Sequence, residues 1–230
     1  MKRVAVIQSN YLPWKGYFDI IHDVDLFIFY DCVQYTKNDW RNRNVIKTAA
    51  GPSWLTVPVQ FQLGDTIEQA RVANTHWQAK HFKTLEHAYR RQPGYEWLLP
   101  LLQETYLDRE WTNLSELNRH LIQRICADYL GIETAIVGSS QFTLNGARQE
   151  RLLDLLVQAG ATHYVSGPAA RSYIEEPRFA EAGIALSYKD YAGYPEYAQP
   201  YGEFRHAVSI VDVIACTGQA APEYIWGWRA

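Results

Sequence analysis

Between residues 8 and 44 the chain gathers amides, phenols, lysines, arginines and a carboxylate at a density that a folding core does not need. The runs are Gln8-Ser9-Asn10-Tyr11-Leu12-Pro13-Trp14-Lys15-Gly16-Tyr17-Phe18, Asp31-Cys32-Val33-Gln34-Tyr35-Thr36-Lys37 and Trp40-Arg41-Asn42-Arg43-Asn44. Lys37, Arg41, Arg43 and Lys47 sit within one short stretch with Asp39 as the sole acid, which suits a local anion site for phosphate or carboxylate, arginine offering bidentate contacts. Trp40 and Asn42 would add stacking and directed hydrogen bonds, as would Gln8, Tyr11, Tyr17 and Tyr35. Asp31 and Gln34 would position an amine, a hydroxyl or a ribose, or a Mg²⁺ ion if a second carboxylate approached. The competing reading makes the same residues caps, turns, amphipathic aromatics and a solvated basic surface.

Seven histidines supply candidate bases, most of them ordinary core or surface residues. His81, on the helical face of Trp77, and His206, after the aromatic run Tyr191 to Tyr201, are the two placed for general-base work on an amine. Three widely spaced cysteines, Cys32, Cys126 and Cys216, form neither a CxxC nor a Cys/His ligand pattern, so no metal site and no disulfide framework is expected. Cys32 is either a nucleophile or an inert buried thiol. Ser-His-Asp order, Walker loop and G-x-G-x-x-G fingerprint are all missing, which removes hydrolase, P-loop and NAD-dependent chemistry as first choices and leaves the cofactor unspecified.

These residues must be carried by strand ends. Arg3 to Gln8 and Leu26 to Tyr30 are short, β-branched or aromatic apolar runs that close on polar loops, with a helix Gly16 to His22 between them: a βαβ opening. Trp54 to Val59 reads as a third strand. Helices are expected at Trp77 to Tyr89, Leu98 to Tyr106 and Leu114 to Leu130, the last capped by Ser115 and stopped by Gly131. Alternation then resumes: strands Thr134 to Val137, Thr162 to Val165 and Ile184 to Tyr188, a helix Arg148 to Ala159, and a last helix Ser209 to Cys216. Two of these strands end in Ser139-Ser140 and Ser166-Gly167, small residues that either present backbone N–H groups to a ligand or make ordinary βα turns. The expected fold is α/β: one domain over 1–230, a mostly parallel Rossmann-like, nucleotidyltransferase-like sheet with a helical insertion at about 77–130.

With 47% hydrophobic and 14% aromatic residues the chain can bury a large core, and its net charge of -3 argues against general nucleic-acid binding. The opening Met-Lys-Arg-Val-Ala-Val-Ile is too short an apolar run for a signal peptide, and nothing approaches a membrane span, so a cytoplasmic protein is expected.

The two N-terminal runs, together with Trp54 to Pro58, Ser139-Ser140, Gly160-Ala161-Thr162 through Ser166-Gly167-Pro168, Tyr194-Pro195-Glu196-Tyr197 to Phe204 and Ser209 to Asp212, resemble the WbqC family of bacterial proteins over nearly the whole chain. The resemblance implies a place among gene products for O-antigen and other surface polysaccharides. The family's biochemistry is poorly defined, and His81 and His206 resemble positions recurrent in it. One departure is Asp31-Cys32, where family members commonly carry two acids, which weakens any paired-carboxylate metal site. A fainter similarity is to nucleotidylyltransferases and pantothenate-synthetase-like ligases, whose His-x-Gly-His motif is matched in place by Trp14-Lys15-Gly16-Tyr17. The expected function is an acyl- or aminoacyl-type transferase or ligase acting on an amino sugar of a phosphorylated or nucleotide-linked precursor. Its alternatives are an adenylate-forming or nucleotidyl-transfer enzyme using ATP and Mg²⁺, which ATP binding would single out, and a non-catalytic nucleotide-sugar-binding protein.

Overall fold

The computed structural model describes residues 1–229. Five short strands, β1 (Arg3–Ile7), β2 (Leu26–Phe29), β7 (Ala135–Gly138), β8 (His163–Ser166) and β9 (Ala185–Tyr188), form one sheet in the order β7-β2-β1-β8-β9. Every pairing in it is parallel. Such strands are covered on both faces, which is why they read as continuous apolar runs. On one face Ala5, Phe27, Phe29 and Val165 join the large core, and on the other Val4, Val6, Leu26, Ile28 and Tyr164 pack with Leu155, Leu156 and Phe179.

Helix α1 (Lys15–His22) returns the chain from β1 to β2. Between β2 and β7 lie a hairpin of β3 (Arg43–Thr48) and β4 (Gly51–Thr56), a small ladder of β5 (Val59–Gln60) and β6 (Arg71–Val72), and helices α2 (His76–Tyr89), α3 (Tyr95–Tyr106) and α4 (Leu114–Arg124). α4 runs on as a π-helical turn over Ile125–Tyr129 and stops near Gly131, whose φ of 62° suits a glycine. α5 (Gln149–Gln158) and α6 (Glu176–Glu181) cover the second sheet face, and α7 (Ile210–Thr217) closes on α3.

Several expectations need correcting. The strand expected at Trp54 to Val59 is β4, shifted towards Gly51 and paired with β3, which the sequence reading did not contain. Its inward residue Asn44 is polar, so the period of two is masked; the Asn44 amide donates to the carbonyls of Tyr11 (3.3 Å) and Leu12 (2.8 Å) and holds Leu12 at a φ of 43°. α3 begins three residues before Leu98. The cap of α4 is Asn113, whose side chain accepts from Glu116 N, while Ser115 turns its hydroxyl to Asp31.

Candidate functional site at the carboxyl edge of the sheet

Counted by chain position, the sheet grows outward from β1 through β2 to β7, then restarts on the other side of β1 with β8 and β9. The loops leaving β1 and β8 therefore diverge at their carboxyl ends and open a crevice, the position where open α/β sheets hold their ligands. Gln8 stands at the middle of this edge, with its carbonyl accepting from the Tyr17 hydroxyl at 2.9 Å. Burial and the Asp31 charge hold the Tyr17 phenol well above its ordinary value, opposed by Arg41 and Arg119.

Asp31 ends β2 fully buried. One oxygen accepts from Ser9 N at 2.7 Å; the other accepts from the Ser115 hydroxyl at 2.5 Å and Arg119 Nε at 3.2 Å. Both oxygens are thus engaged in positioning, three bonds in all, and Asp31 is foremost an organiser of Ser9, Ser115 and Arg119. Arg119 continues the chain of contacts to Glu68 at 3.2 Å, so the second carboxylate near Asp31 is reached through a guanidinium. Among the described residues no three His, Cys, Asp or Glu side chains gather as a metal site.

Among the described residues the buried Asn10 Oδ1, Asn42 Oδ1 and Asn118 Oδ1 have no hydrogen-bond partner, and the same holds for buried polar atoms elsewhere such as Thr105 Oγ1 and Trp77 Nε1. Buried polar atoms are normally paired, so each is a property to explain. Asn118 donates to the Arg41 carbonyl at 2.8 Å, and Asn42 to Val57 O at 2.9 Å, so each amide is fixed with its oxygen left over. Ser139 ends β7 beside Cys32, whose thiol is pushed up by burial, the state of a protonated and weakly nucleophilic cysteine. A Cβ at Gly138 would meet Arg119 Nη2 at 2.8 Å, which puts the guanidinium against the end of β7.

The structure thus brings Gln8, Tyr17, Asp31, Arg41, Asn42 and Ser139 to one edge. Across the crevice lie Ser166, buried at the end of β8, and Gly167, near which the Tyr191 hydroxyl stands. Ser140, next to Ser139, is exposed. The remaining candidates lie elsewhere, and the basic residues expected to form one local anion site do not gather. Lys37 and Gln34 are exposed, Gln34 bridging to Thr66. Arg43 lies 4.3 Å over the Trp54 ring, itself 5.7 Å from Trp40. Lys47 points inward to Gln199 Oε1 (3.0 Å) and the Glu203 carbonyl (2.7 Å). Tyr35 is buried against Phe61. The four basic residues are therefore dispersed: Lys37 and Arg41 stand on the loop before β3, and Arg43 and Lys47, four residues apart along it, reach different neighbours.

Tyr11 and His81 form an interior network instead of a reaction centre. The Tyr11 hydroxyl lies 2.8 Å from His81 Nδ1 and 2.5 Å from the Tyr106 hydroxyl. Burial and Lys80 push the His81 imidazole down to about 4, with a Thr56 backbone contact opposing, so it is neutral and enclosed. His206 is exposed and packs against Phe204 and Tyr194, beside Lys15.

Sequence reasoning missed Glu68, Asn118 and Arg119, and it missed the charged groups beneath the C-terminal loop. Asp19 accepts from Lys189 Nζ (2.8 Å), Tyr194 (2.5 Å) and both terminal nitrogens of Arg229 (2.9 and 2.7 Å). Asp212 accepts from Tyr89 (2.8 Å), Tyr197 (2.6 Å) and Gln199 (2.6 Å). A lone carboxylate in an apolar helical run, as in Ile210-Val211-Asp212-Val213, is the signal that would have found Asp212.

No helix is long and apolar enough to cross a membrane. No solved structure matches the chain. An uncharacterized protein of Mycobacterium tuberculosis is 47% identical over 231 residues, covering 98% of each chain. The model of the WbqC-like protein family matches residues 8–224, and with the family's N-terminal runs supplying Gln8, Tyr17, Asp31 and Arg41 to the edge, the chain belongs to the WbqC-like protein family.

Proposed function

We propose that this chain is an enzyme of glycan-precursor biosynthesis that holds a phosphorylated or nucleotide-linked amino sugar at the carboxyl edge of its sheet and transfers an acyl-type group to the amine. The observation that supports the reading most is the buried Asn118 oxygen left without a partner among the described residues, next to Arg119, whose guanidinium abuts the end of β7 at the point where the strand order reverses. Numbered along the chain, the order 3-2-1-4-5 is that of a doubly wound, Rossmann-like sheet, whose ligands are typically nucleotides. Arg41 and Arg119 would meet phosphate oxygens, and the amide oxygens would accept from sugar hydroxyls or an acylamino N–H.

The amine, once it has lost its proton, attacks the carbonyl of an activated acyl donor (a thioester or acyl phosphate), and the amide forms as the bond from that carbonyl to the thiolate or phosphate leaving group breaks; Asp31, with both oxygens engaged, is poorly placed to take the proton. Glu68 is the better proton acceptor: Arg119 holds one of its oxygens, and its side chain is one-third exposed (33%). Cys32 has no covalent role in this reading. The resemblance to surface-polysaccharide proteins supports the substrate class, and the reaction would take place in the cytoplasm, where such precursors are made.

The test is calorimetric titration with a panel of nucleotide amino sugars. Arg41→Gln and Arg119→Gln should each weaken binding about tenfold, the loss expected for one charge-assisted hydrogen bond. Glu68→Gln should leave affinity in place and remove turnover. Absence of binding across the panel, or affinity untouched by both arginine variants, sinks the reading.

A further inference from the structure

Away from the sheet edge, an open cavity of about 790 Å³ lies between the tip of the β3–β4 hairpin and the outer face of α2. Its size falls within the roughly 300–1,000 Å³ typical of small-molecule sites. Lys80, Lys83 and His87 recur at helical spacing, so α2 turns all of them along one side. Thr48 and Ser53 face them from the hairpin, and alanines from both elements keep the floor low. Tyr201 forms the end wall; its hydroxyl donates to the Ala88 carbonyl at 3.0 Å, which fixes the ring against α2.

The charge of this groove is one-sided. No acidic residue lines it, and among the described residues no carboxylate lies within 4.0 Å of Lys80 or Lys83. In a chain of net charge -3, two neighbouring ammonium groups left without counter-charge beside a cavity form a local positive field. Lysine is a phosphate binder as a point charge, and a hydroxyl opposite it completes the oxygen shell. An aromatic wall beside a floor of methyl groups suits the flat or apolar face of an organic group attached to that phosphate.

We propose that the groove between α2 and the β3–β4 tip is a second ligand site, separate from the sheet edge, that binds a small phosphate ester through Lys80 and Lys83 with its organic part against Tyr201. The organic part can be a sugar or a nucleoside, and the two arms of the experiment separate them.

The probes are glucosamine 1-phosphate, adenosine monophosphate, inorganic phosphate and free glucosamine, titrated calorimetrically into the whole chain at low and at high salt. At least one ester should saturate, and at least tenfold more tightly than inorganic phosphate or the free sugar, with affinity falling as salt rises. Lys80→Gln combined with Lys83→Gln should weaken that ester tenfold or more, and these exposed helix positions should leave the melting temperature in place. Tyr201→Leu should weaken the ester while leaving inorganic phosphate unchanged. The tighter arm names the organic group. Inorganic phosphate binding as tightly as both esters, or no saturable binding by either ester, overturns the proposal. Binding that survives the double lysine variant and is lost in Arg119→Gln also overturns it and leaves the sheet-edge reading standing.

Discussion

Asp19, within α1, and Asp31, just after β2, are both fully buried carboxylates of the same βαβ opening, yet they are completed in different ways. Asp31 takes a backbone N–H, a hydroxyl and one arginine, and that arginine passes on to the partly exposed Glu68. Its network is open towards solvent at the sheet edge. Asp19 takes a lysine, an arginine and a phenol, and the same Lys189 also bonds Asp23, so the charges close on one another. An open network can exchange a partner for a ligand; a closed one ties the C-terminal segment to α1. The difference is one of partners, a single arginine joining two carboxylates in one network and a lysine shared between two carboxylates in the other, although both look alike as buried acids.

The sharpest way to break the comparison is to remove the closed hub. Asp19→Ala leaves Lys189, whose side chain is 5% exposed, and Arg229 beside a void. Loss of one member of a buried ion pair costs about 3–5 kcal/mol, or roughly 10 °C of melting temperature in a chain of this size. Nucleotide-sugar affinity in the molecules that remain folded should change little. A melting temperature within about 2 °C of the parent would show that Asp19 holds nothing.

Next in size is the interior histidine behind the edge loop. His81 sits at about 4 in the folded chain against 6.5 when free, so the unfolded state binds the extra proton between those values. Stability from the neutral imidazole is therefore fully present above pH 6.5 and falls as pH drops towards 4, by about 3 kcal/mol in all. Urea titrations at a series of pH values should show that slope in the parent and lose it in His81→Phe. The same acid slope in both proteins would remove His81 as its source.

Asp31→Asn should fall below these in stability and above them in binding. An amide keeps the shape but offers one acceptor where the carboxylate offers two oxygens, so about 1–3 kcal/mol is lost, and Arg119 is released from its anchor. Ligand affinity should drop at least as far as in Arg119→Gln. Asp31→Asn with full affinity would place the two networks in one class.

How much of this could be seen in the chain beforehand follows from what each segment buries. The five sheet strands were visible because both faces of each are apolar, and Gln8, Tyr17, Asp31 and Arg41 were visible because polar residues at a strand end break an apolar run. β3 was hidden, since its inward Asn44 and Lys47 bond to backbone carbonyls that sequence does not reveal. Asn118 and Arg119 were hidden in α4, where helical periodicity explains the apolar face and leaves the polar residues looking like surface. That Lys37, Arg41, Arg43 and Lys47 lie close in sequence said little about closeness in space, because the first two stand on the loop before β3 and the last two meet different neighbours along it.

The smallest effect concerns Lys15, which lies under the same C-terminal loop as the closed hub. Its ammonium is 1% exposed and has no carboxylate within salt-bridge reach among the described residues; it meets the Tyr224 and Pro195 carbonyls at 3.3 and 3.5 Å and the Tyr194 ring at 4.7 Å. Burial lowers it to about 8, with Asp212 and Asp19 opposing. The folded chain therefore sheds this proton before the unfolded chain does, and between pH 8 and the ordinary 10.5 the unfolded state binds more protons. Stability should rise with pH across the lower part of that window, since the buried charge is being removed. Lys15→Met keeps the packing of the stem and deletes the charge, so it should be neutral or slightly stabilising at pH 7, by at most about 1 kcal/mol, as when buried charges are replaced by apolar groups of similar volume. The melting temperature of the parent should rise relative to Lys15→Met from pH 7 to pH 9.5, removing or reversing any advantage of the variant. A variant that melts several degrees lower at every pH would show that the aromatic rings and carbonyls hold Lys15 as firmly as the paired acids hold Lys189, and the division between holding and open charge would then have to be redrawn around it.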